Sequence, residues 1–141
     1  SHIYFGDEND QDIGGITYYH PNNSMYFKTN TAHQLQITSD GRGLSQFTAK
    51  AWINLSATGT VSIRDSHNVD SITDNGTGDY NINFDVNMGS AAYSATGNSN
   101  YWSAHLTCVR TIGMTTSTYN LEVIDTARQD ATEISSVVFG D

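Results

Sequence analysis

Asp65, Ser66 and His67 supply the three residue types of a serine hydrolase triad in adjacent positions. Such triads are defined by geometry rather than by adjacency, and here the segment lies beside turn-like sequence instead of on a strained nucleophile turn. We therefore interpret these residues as a solvated turn and not as a catalytic group.

Cys108 is the only cysteine, and His105 is the nearest base to it along the chain. Side chains three residues apart on a strand point to opposite faces, so His105 cannot hold Cys108 as a thiolate. We expect Cys108 to be a buried structural residue. A single cysteine also excludes an intrachain disulfide and indicates no redox compartment.

Acidic residues cluster near the start of the chain, at Asp7, Glu8, Asp10 and Asp12. A calcium-binding loop that began at Asp7 would need Gly and Glu where Asp12 and Tyr18 stand. We interpret the cluster as an acidic turn, although copies around a threefold axis could complete a cation site. The five histidines show no zinc spacing, and whether one binds a metal on such an axis stays open. No cofactor is predicted.

The candidate contact surface for a ligand consists of Tyr93, Tyr101 and Trp102 together with Asn98 and Asn100. Aromatic rings stack on the CH faces of sugars, and amide groups pair with sugar hydroxyls. The alternative, that Trp102 fills the core, is equally compatible with its apolar strand. The turns at residues 65–70 and 74–79 are a second candidate, because loops at one end of a sandwich often bind ligands.

Composition narrows the class of protein. The net charge is −9, and the six Lys and Arg residues are scattered, so a nucleic-acid partner is not expected. The sequence contains no long apolar run, so membrane insertion is not expected. Disordered chains have few aromatic and many charged residues, whereas this chain has eight Tyr, five Phe and two Trp and only 15% charged residues, which indicates that it is folded. Because the sequence starts at Ser1-His2 without Met, we expect it to be a fragment of a longer protein.

Apolar residues alternate with polar ones over residues 49–84, which predicts short strands with one face toward a core. The predicted core positions are Ala51, Ile53, Leu55, Val61, Ile63, Tyr80, Ile82, Phe84 and Val86. Trp52 and Asn54 fall on the opposite face, toward water. Turns are predicted at residues 57–60 and at 74–79, where Asn75-Gly76 suits a type I′ hairpin turn.

The two ends of the chain differ. Residues 1–47 contain β segments that are too short and too sparsely apolar to close a core, so we expect a shaft-like segment that intertwines with identical copies. Residues 48–141 are predicted to form an antiparallel β-sandwich, because no segment shows helical periodicity. Its later strands are expected at 101–112, 117–125 and 134–139, with a long connection at 88–100.

Two blocks of the sequence resemble phage tail-fibre proteins. The first contains IYFGD (3–7), IGGI (13–16), NSMYFKTN (23–30) and LQITSDG (35–41) and is similar to shaft-like modules near fibre tips. The second contains KAWIN (50–54), GTV (59–61), IRDS (63–66), ITDNGTGDY (72–80) and the terminal VFGD (138–141), and it resembles the C-terminal tip domain. The resemblance implies a homotrimeric, virion-exposed and extracellular fibre end that touches a receptor, a glycan or an outer-membrane component, on a bacterial surface.

One departure from that pattern limits what the resemblance implies. Fibre modules of the first type often precede a self-cleaving chaperone with helical segments and a Ser/Lys pair, whereas this chain has only two Lys and no helical pattern. No enzymatic activity is therefore expected. The alternatives are a purely structural fibre or collar segment, a glycan-cleaving tailspike domain and a stand-alone carbohydrate-binding module.

Overall fold

The computed structural model describes residues 1–45, 47–100 and 108–140, and for Cys108 and Val109 it describes the backbone alone. Within these residues the chain is all-β, with antiparallel strands, one 3-10 turn at His20–Asn22 and no α-helix. The predicted antiparallel all-β class is thus confirmed. The chain divides into two compact units, residues 1–48 and 49–141.

The first unit is one antiparallel sheet, which we call sheet A. Its strands are β1 (His2–Phe5), β2 (Gly14–Tyr19), β3 (Ser24–Thr29), β4 (Ala32–Ile37) and β5 (Gly43–Leu44), and they lie side by side in chain order. Short connections at residues 20–23 and 30–31 join β2 to β3 and β3 to β4, which favours the pairing of these neighbouring segments. Asn23 at φ 52° and Asn30 at φ 47° turn the chain at two of these connections, and asparagine tolerates this conformation better than most residues.

Sheet A has two chemically different faces. Strand register places Ile16 opposite both Ile3 and Phe27, and it places Thr17 opposite both His2 and Tyr26. The apolar face of sheet A consists of Ile3, Phe5, Ile16, Met25, Phe27, Leu35 and Ile37. In the described part of this unit no large apolar side chain is buried, and Ile3 and Phe5 are 59% and 56% exposed. Sheet A therefore has no hydrophobic core of its own.

The second unit contains two four-stranded antiparallel sheets. Sheet B has the order β10-β13-β6-β7, formed by Ser94–Ser99, Ile134–Phe139, Ala51–Ser56 and Ser62–His67. Sheet C has the order β11-β12-β9-β8, formed by Cys108–Ile112, Thr118–Ile124, Asp79–Asn83 and Ser71–Gly76. Neither order follows the chain, so the two sheets are interleaved in sequence.

A shared hydrophobic core lies between sheets B and C. It contains Ala51, Ile53, Leu55, Ala57, Tyr80, Ile82, Phe84, Met88, Tyr93, Tyr119, Leu121, Val123, Ala131, Ile134 and Val138. Alternate residues of each central strand enter this core, which is the arrangement expected of face-to-face sheets. A hydrogen bond between the Tyr119 hydroxyl and Ser136 Oγ joins the two sheets inside the core. Burial raises the pKa of Tyr119 to about 12, so the phenol stays neutral.

A second group of hydrogen bonds, centred on Asp130, lies at one end of the core. The Tyr80 hydroxyl donates to Asp130 Oδ1 at 2.5 Å, and the Gly78 N–H donates to the same oxygen at 2.8 Å. Gly78 has φ +64°, and a Cβ there would lie 2.6 Å from Gln129 N. Only glycine suits this position, because both the left-handed conformation and the close backbone approach exclude a side chain.

The structure corrects three details of the strand prediction. Residues 94–99, which were expected in a long connection, form β10. The β8–β9 hairpin turns at Thr77-Gly78, since Gly76 pairs with Asp79, and not at Asn75-Gly76. Ile63, a predicted core residue, is 37% exposed although it pairs with the buried Leu55, because β7 is the edge strand of sheet B.

The cross-sheet hydrogen bond gives the first testable prediction. Replacing Tyr119 with Phe leaves the buried Ser136 hydroxyl without this partner, so we expect the free energy of unfolding to fall by about 1–3 kcal/mol. Urea denaturation followed by tryptophan fluorescence measures the change. In the double variant Tyr119→Phe/Ser136→Ala both polar groups are gone, and the loss is expected to be smaller than the sum of the two single losses. Strict additivity would contradict a stabilising hydrogen bond.

Candidate functional site

The outer face of sheet B carries an exposed tryptophan. Ala51, Ile53 and Leu55 of β6 point into the core and are almost fully buried. The alternation of the strand therefore turns Trp52 and Asn54 toward solvent. Trp52 keeps 36% of its surface exposed, although a tryptophan on a strand would ordinarily be buried.

Neighbouring strands complete a groove around this ring. Thr96, Val137 and Trp52 form one row across β10, β13 and β6, and Asn98, Ser135 and Asn54 form the next row. We call this surface the Trp52 groove. Its volume is ≈ 530 Å³, within the range of small-molecule sites. The floor between the two rows is backbone, because Gly97, Ser136 and Ile53 of the intervening row face the other side of the sheet.

Hydrogen bonds hold the amide groups at the edge of the groove. Ser135 Oγ donates to Asn98 Oδ1, and Asn54 Nδ2 donates to Glu133 Oε1 at 3.0 Å. Asn100 Nδ2 donates to Thr132 Oγ1 at 2.8 Å, and Asn100 Oδ1 accepts the Glu133 N–H at 2.9 Å. These groups keep their orientation without a ligand, which lowers the entropic cost of binding one.

The structure places the predicted contact residues in different environments. Asn98 lines the Trp52 groove, and Asn100 lies beside it in the sequence, bonded to residues 132 and 133. Tyr101 and Trp102 lie outside the described residues. Tyr93 is only 6% exposed, its hydroxyl donates to the Thr115 and Thr118 carbonyls, and its ring packs edge-on against Phe84. Tyr93 is therefore a core residue and is not available to a ligand.

Sequence reasoning missed Trp52 as a contact residue, although the signal was present. Trp52 sits between Ala51 and Ile53 on an alternating strand, so the same pattern that predicts the core also predicts an outward-facing tryptophan. Thr96 and Ser135 were missed for a different reason. They enter the groove through the pairing of β10 with β13 and of β13 with β6, which links residues about forty and eighty positions apart.

A charged cluster occupies the outer face of sheet C. Glu122 is 1% exposed, and it accepts hydrogen bonds from Arg110 and Arg128, with Arg110 Nε at 2.6 Å from Oε2. Arg128 also pairs with Asp79, whose Oδ2 lies 2.9 Å from Nη1. Both guanidinium groups are about half-exposed and cover the carboxylate from solvent.

The titration of this cluster indicates a structural role. Burial opposes ionisation of Glu122, but the hydrogen bonds from Arg110 and Arg128 outweigh it and hold its pKa below the usual value. The hydrogen bond from Asn120 likewise lowers the pKa of Asp79. A glycosidase needs one carboxyl that stays protonated near neutral pH, and neither of these groups is suited to that task.

The structure also shows where the remaining candidate catalytic and metal-binding residues lie. Asp65, Ser66 and His67 belong to strand β7 rather than to a turn, so Ser66 points away from the other two. Asp7 Oδ1 accepts the Asn9 and Asp10 N–H groups at 2.8 and 2.9 Å, which lowers the pKa of Asp7, and Asp12 pairs with Lys28 at 2.8 Å. Among the described residues no three His, Cys, Asp or Glu side chains converge as metal ligands. His105 and the Cys108 side chain lie outside the description.

The described part of the chain has no helix of the length and apolarity that a membrane crossing needs. Comparison with protein-family models, with curated proteins and with solved structures found no match for this chain. The Trp52 groove, which joins an exposed indole ring to amide and hydroxyl groups, is therefore the feature that points to a function.

The Glu122 cluster gives the second testable prediction. Because the folded-state pKa of Glu122 lies below its unfolded value of 4.5, the ionised group stabilises the fold above about pH 4.5, and this contribution is lost as the pH falls through the folded-state pKa. Replacing Glu122 with Gln is expected to cost about 1–2 kcal/mol at pH 7, at the lower end for charged hydrogen bonds because both arginines are half-exposed.

Urea denaturation at several pH values measures this effect. We expect the stability difference between the Glu122→Gln variant and the original chain to shrink below about pH 4.5. The exposed Glu133, replaced with Gln, is the control and should change stability by less than about 1 kcal/mol. A difference that does not depend on pH would show that ionised Glu122 is not the stabilising species.

Proposed function

We propose that this chain is the non-enzymatic, receptor-binding end region of a bacteriophage tail fibre and that it binds a saccharide of the bacterial surface through the Trp52 groove. The observation that carries the proposal is the exposed Trp52 ring in a groove that is otherwise lined by Val137 and by small polar side chains. The resemblance of the sequence to fibre modules supplies the biological setting, with the chain on the outside of the virion.

The chemistry of the groove suits a sugar ring. The CH groups of one pyranose face pack on an indole ring, and its hydroxyls exchange hydrogen bonds with amides and hydroxyls. Asn54, Asn98, Thr96 and Ser135 surround Trp52 with such groups, and no charged side chain lines the groove, although the two rows continue onto β7 with His67 and Asp65. A neutral lining favours a neutral saccharide over a phosphorylated ligand.

The proposal includes a homotrimer in which three chains cover each other's sheet A. The apolar face of sheet A measures about 20 Å by 20 Å from strand number and length, which approaches the largest apolar patches that soluble monomers expose. Its seven residues carry no charge, so identical copies can meet there despite the net charge of −9. Three such faces bury roughly 1,200 Å², the lower limit for a specific interface.

Assembly and binding support each other in this proposal. Three grooves on one fibre end bind a dense surface glycan with an avidity well above the affinity of one groove. A single shallow groove of this kind is then sufficient for attachment even when each site binds weakly. The rival function, a purely structural fibre segment, predicts the same assembly but no saccharide binding, and the two are separated by a binding measurement.

The third testable prediction concerns Trp52. We expect the original chain to bind at least one member of an array of purified bacterial O-antigens and capsular polysaccharides, and the Trp52→Ala variant to bind it about thirtyfold more weakly, as for loss of a central aromatic contact of about 2 kcal/mol. The Ile63→Ala variant is a matched control, because Ile63 is equally exposed at 37% on the same sheet and lies outside the groove.

Two outcomes would overturn the saccharide proposal. Binding that survives the Trp52→Ala change would place the receptor site elsewhere, and absence of binding across the array would favour the structural segment. Release of reducing sugars from any bound polysaccharide would contradict the non-enzymatic assignment.

The fourth testable prediction concerns assembly. Sedimentation at micromolar concentration should give three times the chain mass of 15.4 kDa. Replacing Ile16 with Asp puts a carboxylate on each apolar face and is expected to shift the sedimenting species to a monomer, because three buried charges cannot be paired there. Thr17→Asp on the opposite face of the same strand is the control. A stable monomer of the original chain would refute the trimer.

A further inference from the structure

The second face of sheet A contains a cleft that the Trp52 groove does not involve. Its floor is Gly15 and Thr17 on β2, and its walls come from the strands on either side. Register places Tyr4 and Lys28 across Gly15, and His2 and Tyr26 across Thr17. We call this cleft the aromatic slot, and its volume is ≈ 340 Å³.

The slot exists because small residues on the central strand lie between large rings on its neighbours. A larger residue at Gly15 would be crowded, since a Cβ there would lie 3.0 Å from the Ile3 carbonyl oxygen and 3.2 Å from the Tyr4 ring. The flanking strands β1 and β3 are two strand spacings apart, about 10 Å. The volume of the slot lies at the lower end of the range of small-molecule sites, which suits a ligand the size of one pyranose ring.

Ring contacts hold the walls in place without a ligand. His2 and Tyr4 stack with centroids 5.3 Å apart, and Tyr26 packs on His33 at 4.6 Å. Asn22 Nδ2 donates to the Tyr26 hydroxyl at 3.0 Å. Tyr4 nevertheless stays 52% exposed. Rigid aromatic surfaces of this kind bind with a small loss of conformational entropy.

Lys28 decides the class of ligand. Its ammonium group lies 2.8 Å from Asp12 Oδ2 and 5.7 Å from the centre of the Tyr4 ring. The carboxylate neutralises the one Lys or Arg that lines the slot, so a phosphate or a nucleic-acid backbone would meet no unpaired cation there. An ammonium group has three N–H donors, and a hydroxyl can accept from one of them while Asp12 keeps another.

We propose that the aromatic slot is a second saccharide-binding site, which holds one uncharged pyranose ring between the walls formed by Tyr4 and Tyr26. His2 Nδ1 and Thr17 Oγ1 hydrogen-bond to each other at 3.0 Å. Hydroxyls of the sugar therefore pair with Lys28 Nζ and with the remaining hydrogen-bonding capacity of the Thr17 hydroxyl and the imidazoles, while its CH faces pack on the rings. The site lies in the first unit and depends on neither Trp52 nor any other residue of the Trp52 groove. It therefore stands even if the proposed function of that groove is refuted.

The test uses simple sugars as probes, in the full chain. Methyl β-D-glucopyranoside, methyl β-D-galactopyranoside and methyl α-D-mannopyranoside are titrated at millimolar concentration, with methyl β-D-glucuronide as the charged counterpart. Two-dimensional NMR of the Thr17 methyl group and of the Tyr4 and Tyr26 rings reports binding. We expect at least one neutral glycoside to shift these signals saturably, and the glucuronide to bind no more tightly.

Three variants separate the possible results, and this set is the fifth testable prediction. Tyr4→Ala removes an exposed wall and should weaken binding at least tenfold, while Thr17→Phe fills the floor and should abolish it. Phe47→Ala changes a side chain that is 72% exposed and outside the slot, and it should leave affinity unchanged. Because Tyr4 is half-exposed, its loss leaves the strand pairing intact and the test does not depend on Thr17→Phe folding.

The outcomes are decisive for the slot alone. Saturable shifts that persist in Trp52→Ala and disappear in Tyr4→Ala support the proposal. Shifts lost in Trp52→Ala but kept in Tyr4→Ala place sugar binding in the Trp52 groove and overturn the slot. No shift with any neutral glycoside, or tighter binding of the glucuronide, also overturns it.

Discussion

The core between sheets B and C determines the direction of every side chain on their central strands. A residue that enters the core forces its two neighbours outward, because successive side chains of a strand point to opposite faces. Ala51, Ile53 and Leu55 are fully buried on β6, so Trp52 has no other place than the solvent side. A shift of one residue would bury Trp52 and expose three core residues, which the loss of their buried apolar area forbids.

The same constraint explains what the sequence predicts well. Strands β6, β9, β12 and β13 follow from alternation, because their core residues recur at every second position. Strand β10 carries Ser, Ala, Thr, Gly, Asn and Ser, a composition typical of a connection. It is a strand because β13 offers it a complete ladder of partners. Tertiary pairing, which local sequence does not contain, decided that segment.

The candidate site shows the same division. The outward direction of Trp52 is readable from β6 alone, whereas its neighbours Thr96 and Asn98 reach it across β13. The burial of Tyr93 was not predictable from its Gly- and Ser-rich surroundings. Its position depends on Phe84 and on the carbonyls of Thr115 and Thr118, which belong to distant parts of the chain. The local sequence pattern predicts to which face each side chain of one strand points. Which side chains of different strands lie next to each other depends on long-range strand pairing.

Sheet A and the second unit differ in how far their apolar side chains are removed from solvent. The second unit buries its apolar residues between two layers, and sheet A spreads them over one face with none of them buried. A single layer gains hydrogen bonds between its strands but little from water exclusion, and the net contribution of such bonds to stability is small. Sheet A is thus expected to be the less stable unit when the chain is isolated.

Side chains that line the Trp52 groove alternate with side chains that hold the fold together. On β13, Ser135 and Val137 line the groove, whereas Ile134, Ser136 and Val138 are buried. On β10, Thr96 and Asn98 are exposed and contact no core layer. Mutations at these outward positions leave packing density unchanged, so the surface can diversify while the scaffold is conserved. Evolution of a new ligand preference here requires no compensating change in the interior.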